Sequence, residues 1–268
     1  MNLEDALRAG GGVIAAADHR PLRNQFTRAI AAGTLVRLCP GVLVAADLVD
    51  DPVIRARAAH TWRPGHILMG PAAARASFWP ECPDTMIDLA GPQTDVVPKI
   101  VRLHQVKVPV ELRANWGTAI ITRAELTVLD MATMGKWAAL CEGLRRGAVS
   151  AESLARAGDL VARRLKPGIR RECLARAAGN PWSVPEMNLQ MLYRKAGIDG
   201  WVGNRQIIAC GHLVIPDIAF DVPKLIVEVD GRKYHTQVAS FESDRAHSNW
   251  LTADGGFIGQ CQISAHQL

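Results

Sequence analysis

The chain has 268 residues, 49% of them apolar and 21% charged, with a formal charge of +5. That balance excludes a disordered tail, suffices for at least one sizeable core, and at this length predicts two or three modules. Arginine outnumbers lysine 24 to 7; arginine forks onto phosphates, which suits a polyanionic partner, although an arginine-rich codon bias gives the same count.

The first 46 residues predict three helices and a hairpin. Leu3–Arg8 reads as a short helix stopped by Gly10-Gly11-Gly12, and Val13–His19 as a second helix. Pro21 suits a first helical turn, after which Leu22, Phe26, Ala29 and Ile30 recur at helical spacing until Gly33. Thr34–Leu38 and Val42–Ala45 are β-type runs joined by Cys39-Pro40-Gly41. The order is that of a winged helix-turn-helix, placed at residues 1–58. No acidic residue falls between Asp18 and Asp47, whereas Arg20, Arg23, Arg28 and Arg37 do. Arg20, Arg23 and Asn24 open the third helix, where a recognition helix meets base edges and phosphates, and Arg37 lies on the wing. A small helical cap with a solvated basic face is the competing reading.

Residues 59–180 predict an α/β spacer or docking module. Asp47–His60 passes from an acidic linker into an Arg/Ala helix; Met86–Ala90 and Lys99–Val110 look like strands; Arg123–Met134 and Lys136–Arg146 have helical spacing. Ten basic against four acidic residues lie between Lys136 and Arg176, a pattern that a solvated helix face explains more often than a nucleic-acid site. The six cysteines (Cys39, Cys82, Cys141, Cys173, Cys210, Cys261) form no CxxC and no Cys/His cluster, as expected of buried thiols in a reducing compartment. With no eighteen-residue apolar run and no basic-then-apolar leader, a cytoplasmic protein that avoids membranes is expected.

Residues 181–268 carry the chemistry. Leu213–Phe220 is an apolar run broken by Pro216-Asp217; Asp221-Val222-Pro223 turns the chain, and Lys224–Val229 is a second strand ending in Glu228-Val229-Asp230-Gly231. Glu228 and Asp230 are two apart, so they share one face of a strand whose neighbours are apolar. Carboxylates in such a place are costly to desolvate without a cation. Asp217, eleven positions before Glu228 and on the adjoining strand, completes a set of hard oxygen donors suited to Mg²⁺ or Mn²⁺. His235 is a candidate proton carrier. Singly, an Asp-Gly reads as a turn and a His as a surface residue; together the pattern is far more specific.

The segments PDIAF, LIVEVDGRKYH and FESDR resemble the nuclease-fold domain related to very-short-patch-repair endonucleases, of the PD-(D/E)XK class. That resemblance implies a restriction-endonuclease-like mixed sheet flanked by helices, within a chain that is α/β (α+β overall). It gives Asp217 and Glu228 as metal ligands. Glu186, on a helix opened by Pro185 and capped by Ser183, would hold the metal or orient its ligands. Asp230 stands at the motif's lysine position, His235 at its histidine, and Arg245 follows Asp244 as its acidic-basic pair. One departure is that Gly256-Phe257 is followed by a short polar tail without the family's arginine, which predicts a frayed last strand or a missing phosphate contact. GGVIAAADHR and AIAAGTLVRLCPGVLV resemble the winged-helix start of abortive-infection type IV antitoxins, and ELTVLDMA a segment of their second domain; actinobacterial chains commonly join these parts to the nuclease-like domain.

Together these readings predict a Mg²⁺- or Mn²⁺-dependent DNA endonuclease of phage defence or DNA repair, with a cognate toxin or self-association as further partners. A DNA-binding regulator or antitoxin on an inactive nuclease scaffold is the alternative, and RNA stays open as substrate.

Overall fold

The computed structural model describes residues 2–94, 96–230 and 259–264, the side chains of 230 and 259–262 excepted. The chain is mixed α/β and divides into two compact units: residues 1–136 with 153–166, and 137–152 with 167–268. The expected winged-helix module and most of the middle module share the first unit. The remainder of the middle module, residues 137–152 and 167–180, falls with the C-terminal segment.

In the first unit, α1 (Leu3–Ala9) is closed by a reciprocal cap: Asp5 N–H donates to Asn2 Oδ1 at 2.8 Å and Asn2 N–H to Asp5 Oδ2 at 3.2 Å. The expected helix over Val13–His19 is instead β1 (Val13–Ala15) running into a 3₁₀ turn, Ala16–Leu22. Val13 and Ile14 pair with Val44 and Leu43 on a strand thirty residues away, and burying two β-branched residues on a sheet outweighs their local spacing. Pro21 lies in that turn, so α2 (Arg23–Ala31) starts two residues later than expected. β2 (Leu35–Cys39) and β3 (Val42–Ala45) complete an antiparallel sheet of order β1-β3-β2. Phe26 and Ala29 of α2 pack with Ala6, Ile14, Leu22, Leu35 and Leu43.

α3 (Pro52–Trp62) has Pro52 in its first turn and Asp51 as cap, Oδ1 accepting from Val53 N at 2.7 Å and Ile54 N at 3.2 Å. Its Ile54, Ala58, Ala59 and Trp62 share one core with Val13, Val42 and Val44 on one side and Leu68, Ile87 and Leu89 on the other. β4 (Ile67–Met69), α4 (Gly70–Ser77), β5 (Ile87–Ala90), β6 (Val101–His104), β7 (Arg113–Trp116) and β8 (Ala119–Thr122) follow, the strands forming a sheet of order β6-β5-β4-β8-β7. α5 (Ala124–Thr133) falls where its spacing places it, whereas the strand expected over Lys99–Val110 shortens to β6 between Pro98 and Pro109.

In the second unit, α6 (Ala138–Arg145), α8 (Pro167–Ala177) and α9 (Val184–Lys195) pack together. α7 (Ala151–Leu160) spans the division between the units. β9 (Trp201–Gly203), β12 (Ile218–Phe220), β13 (Leu225–Asp230) and β14 (Gly259–Ser264) form a sheet of order β14-β13-β12-β9, with β13 and β14 parallel and the other pairs antiparallel. β10 (Ile207–Ala209) and β11 (His212–Val214) make a separate hairpin, so the apolar run Leu213–Phe220 serves two sheets rather than one strand. α9 covers one face of the larger sheet through Leu189 and Tyr193, against Ile218, Phe220, Val227 and Trp201. β14 pairs with β13 over all six residues, from Gly259 opposite Leu225 to Ser264 opposite Asp230; it is a full strand, not the frayed end that its polar sequence suggests, because backbone pairing to a buried neighbour does not require apolar side chains. Among the described residues no helix is long and apolar enough to cross a membrane.

Candidate functional site

The β12–β13 hairpin brings the acidic residues together. Ile218 lies opposite Val227, which sets Asp217 across from Glu228. Asp217 Oδ2 accepts the Val229 N–H at 2.7 Å, and Asp217 N–H points at Glu228 Oε2 at 3.5 Å. The turn between the strands is pinned by a bidentate pair from Arg205 to Asp221, 2.7 and 2.9 Å.

The third carboxylate comes from the first turn of α9. Ser183 caps that helix, its Oγ accepting Glu186 N–H at 3.2 Å. Glu186 is 5% exposed, and its Oε2 accepts from Trp182 N–H at 2.9 Å and from Asn204 Nδ2 at 2.8 Å. Burial, then the charges of Glu186 and Glu228, push the Asp217 carboxyl up to about 8, against the single Val229 N–H that favours its ionised form.

Buried carboxylates elsewhere in the chain are answered by cations. Asp88, wholly buried, takes a bidentate pair from Arg102 at 2.9 and 3.0 Å and a contact from His104 at 2.7 Å. Asp130 is paired with Arg164. Among the described residues Glu186 and Asp217 have only neutral N–H partners. Negative charge gathered in this way is what a hard divalent cation neutralises, and the carboxylates of Asp217 and Glu228 offer the oxygen donors that suit Mg²⁺ or Mn²⁺. Among the described residues no three His, Cys, Asp or Glu side chains stand close enough to share one ion. The Asp230 side chain, His235 and Arg245 lie outside those residues.

Two neutral side chains belong to this neighbourhood and were not anticipated from the sequence. Asn204, 7% exposed, bridges to Glu186; Gln190, one turn beyond Glu186 on α9, is 1% exposed, and among the described residues neither of its amide atoms has a hydrogen-bond partner. The backbone closes around that amide at two glycines: a methyl on Gly179 would fall 2.0 Å from Gln190 Oε1, and one on Gly203 would fall 2.2 Å from the Gly179 carbonyl. The one signal for Asn204 is its place after Gly203 at a strand end, a position where asparagine tolerates left-handed backbone.

On the first unit, Arg20, Arg23, Asn24, Arg28 and Arg37 are all exposed. Asn24 and Arg28 lie on the side of α2 opposite its buried Phe26 and Ala29, Arg23 is the first residue of that helix, Arg20 lies in the preceding turn, and Arg37 lies on β2. None of these four guanidiniums has an acid beside it among the described residues, whereas Arg55, Arg102, Arg164, Arg176 and Arg205 each do. No protein-family model and no curated protein matches the sequence.

Proposed function

We propose that the protein is a Mg²⁺- or Mn²⁺-dependent endonuclease that hydrolyses phosphodiester bonds in DNA, positioned by an N-terminal winged helix. The observation that carries this reading is the set of carboxylates Glu186, Asp217 and Glu228, in which Glu186 and Asp217 have, among the described residues, no cationic partner of the kind that Asp88 and Asp130 have. Asp217 and Glu228, which face each other across β12 and β13, would hold the ion, and the Glu186 charge adds to the field there. A divalent cation there supplies Lewis-acid polarisation of the phosphoryl oxygens and acidifies a water molecule. The order β14-β13-β12-β9 with α9 against it supports a restriction-endonuclease-like core. In this reading Asp230 adds a carboxylate at the end of β13, His235 carries the proton, and Arg245 holds a phosphate.

The order α1, β1, 3₁₀ turn, α2, β2, β3 supports a winged helix in which the turn at Ala16–Leu22 replaces the second helix. Arg20, Arg23, Arg28 and Arg37 then neutralise backbone phosphates, and Asn24 reaches a base edge. The test is supercoiled plasmid incubated with Mg²⁺ or Mn²⁺ beside a Glu228→Ala control. Nicking or linearisation that vanishes in the control supports the enzyme. DNA that shifts in a gel yet stays intact with either ion overturns it in favour of a DNA-binding regulator.

A further inference from the structure

We propose that the first unit binds an aliphatic carboxylate in a groove of about 1030 Å³ on the second face of its five-stranded sheet, where Ala90, Ile67 and Ile120 receive the chain and Lys107 and Arg163 the acid group. Every residue that lines the groove belongs to that unit, and the inference is independent of the metal-site reading.

The floor follows from strand alternation. Leu68, Leu89 and Ile121 point into the core shared with α3 and α4, so their neighbours Ile67, Ala90 and Ile120 point to the other face. Ile67 pairs with Ala90, and Leu68 with Ile121 in parallel, which sets the three side chains in one row across β5, β4 and β8. Two strand spacings make that apolar row about 10 Å long. Val106 and Val108 after β6 form one wall, and Leu160 and Val161 at the end of α7 the other. At the rim Val110 is 69% exposed and Leu160 50%, apolar surface that a bound chain would cover.

The groove is also basic. Lys107, Arg113, Arg163 and Arg164 line it against one acid, Asp159. Arg164 is answered by Asp130, and its Nη1 also reaches the Lys107 carbonyl at 3.5 Å, which brings the two walls together. Arg113 donates only to the neutral Val108 carbonyl, at 2.7 and 3.0 Å. Lys107 and Arg163 are exposed with no acid beside them among the described residues. Inorganic phosphate would meet the cations and leave the apolar row uncovered; a neutral hydrocarbon would do the reverse. None of the lining residues is aromatic, so a nucleobase finds no ring on which to stack. An aliphatic body with one anionic end satisfies both halves of the groove.

The test titrates decanoate calorimetrically, below micelle formation, into the full chain, beside octanoate, decyltrimethylammonium and inorganic phosphate. One-to-one binding of decanoate is expected, about tenfold tighter than that of octanoate, which buries two fewer methylenes. Lys107→Glu/Arg163→Glu reverses two exposed charges; it is expected to weaken decanoate about tenfold and to strengthen decyltrimethylammonium. Should that variant fail to melt cooperatively, Lys107→Ala/Arg163→Ala repeats the measurement, with a smaller loss expected. Decanoate that does not bind, or that binds the charge variants as tightly as wild type, overturns the proposal. So does decyltrimethylammonium or phosphate binding wild type as tightly as decanoate, because one half of the groove would then go unread. Displacement of decanoate by duplex DNA overturns it in favour of a phosphate-backbone contact.

Discussion

Among the described residues, four guanidiniums on the N-terminal face stand in solvent with no acid beside them, while around β12 and β13 carboxylates are drawn out of solvent with no cation against Glu186 or Asp217. The two imbalances differ in cost. An exposed arginine keeps its hydration, so leaving it unpaired costs little, and whatever it attracts is screened by salt. A carboxylate that loses water without gaining a cation raises the free energy of the fold itself. The first region should therefore reveal itself in salt-dependent binding, and the second in metal-dependent stability.

The largest effect expected is in catalysis. Asp217→Ala and Glu228→Ala should each lower plasmid nicking by about 1000-fold or more, because several kcal/mol of charge stabilisation leave with the cation; gel shifts of DNA by these variants should match wild type. Weaker binding in the gel would mean that the two regions are not separate in function.

Next comes DNA affinity. Arg23→Ala and Arg28→Ala should each reduce the slope of log K against log salt by about 1, with a similar loss on all sequences. Arg205→Ala should leave that slope unchanged, because its guanidinium is committed to Asp221. Equal slopes for Arg23→Ala and Arg205→Ala would break the distinction between paired and unpaired arginines.

A smaller effect is expected on stability. Because the folded Asp217 carboxyl titrates near 8 rather than at its ordinary 3.8, its contribution is fully present below about pH 4 and is lost as pH rises towards 8. In chelator at pH 8, Asp217→Asn should melt a few degrees above wild type, and added Mg²⁺ should raise the wild type more than the variant. A variant that melts lower in chelator would refute the charge strain.

The smallest effect applies to both regions alike. Burial pushes the thiols of Cys39, Cys141 and Cys173 up to about 12, so at pH 8 they should react with a disulfide reagent only on unfolding, while exposed Cys210 reacts at once.

Local signals were legible and non-local ones were not. Ser183 before Pro185-Glu186 announces a helix start, and the two apolar runs around Asp221-Val222-Pro223 announce a hairpin, because each depends on neighbours within a few residues. Val13-Ile14 was misread because its strand partner lies at Leu43-Val44. Three-residue strands such as β4 are too short to show a period. Asn204 was invisible for a related reason: its partners are Asn180, Glu186 and Asp217, three separate segments whose meeting only the folded chain provides.

The division of the chain has a consequence for how such a protein can be reassembled. Residues 137–152 belong with the C-terminal unit, but 153–166 return to the N-terminal one before the chain crosses again. A single crossover in the coding sequence near residue 180 would leave α9 without α6 and α8, and with them the buried Leu140, Cys141 and Cys173. Exchanging one unit for a foreign counterpart therefore takes three coordinated junctions, and the two units are expected to be inherited together rather than shuffled.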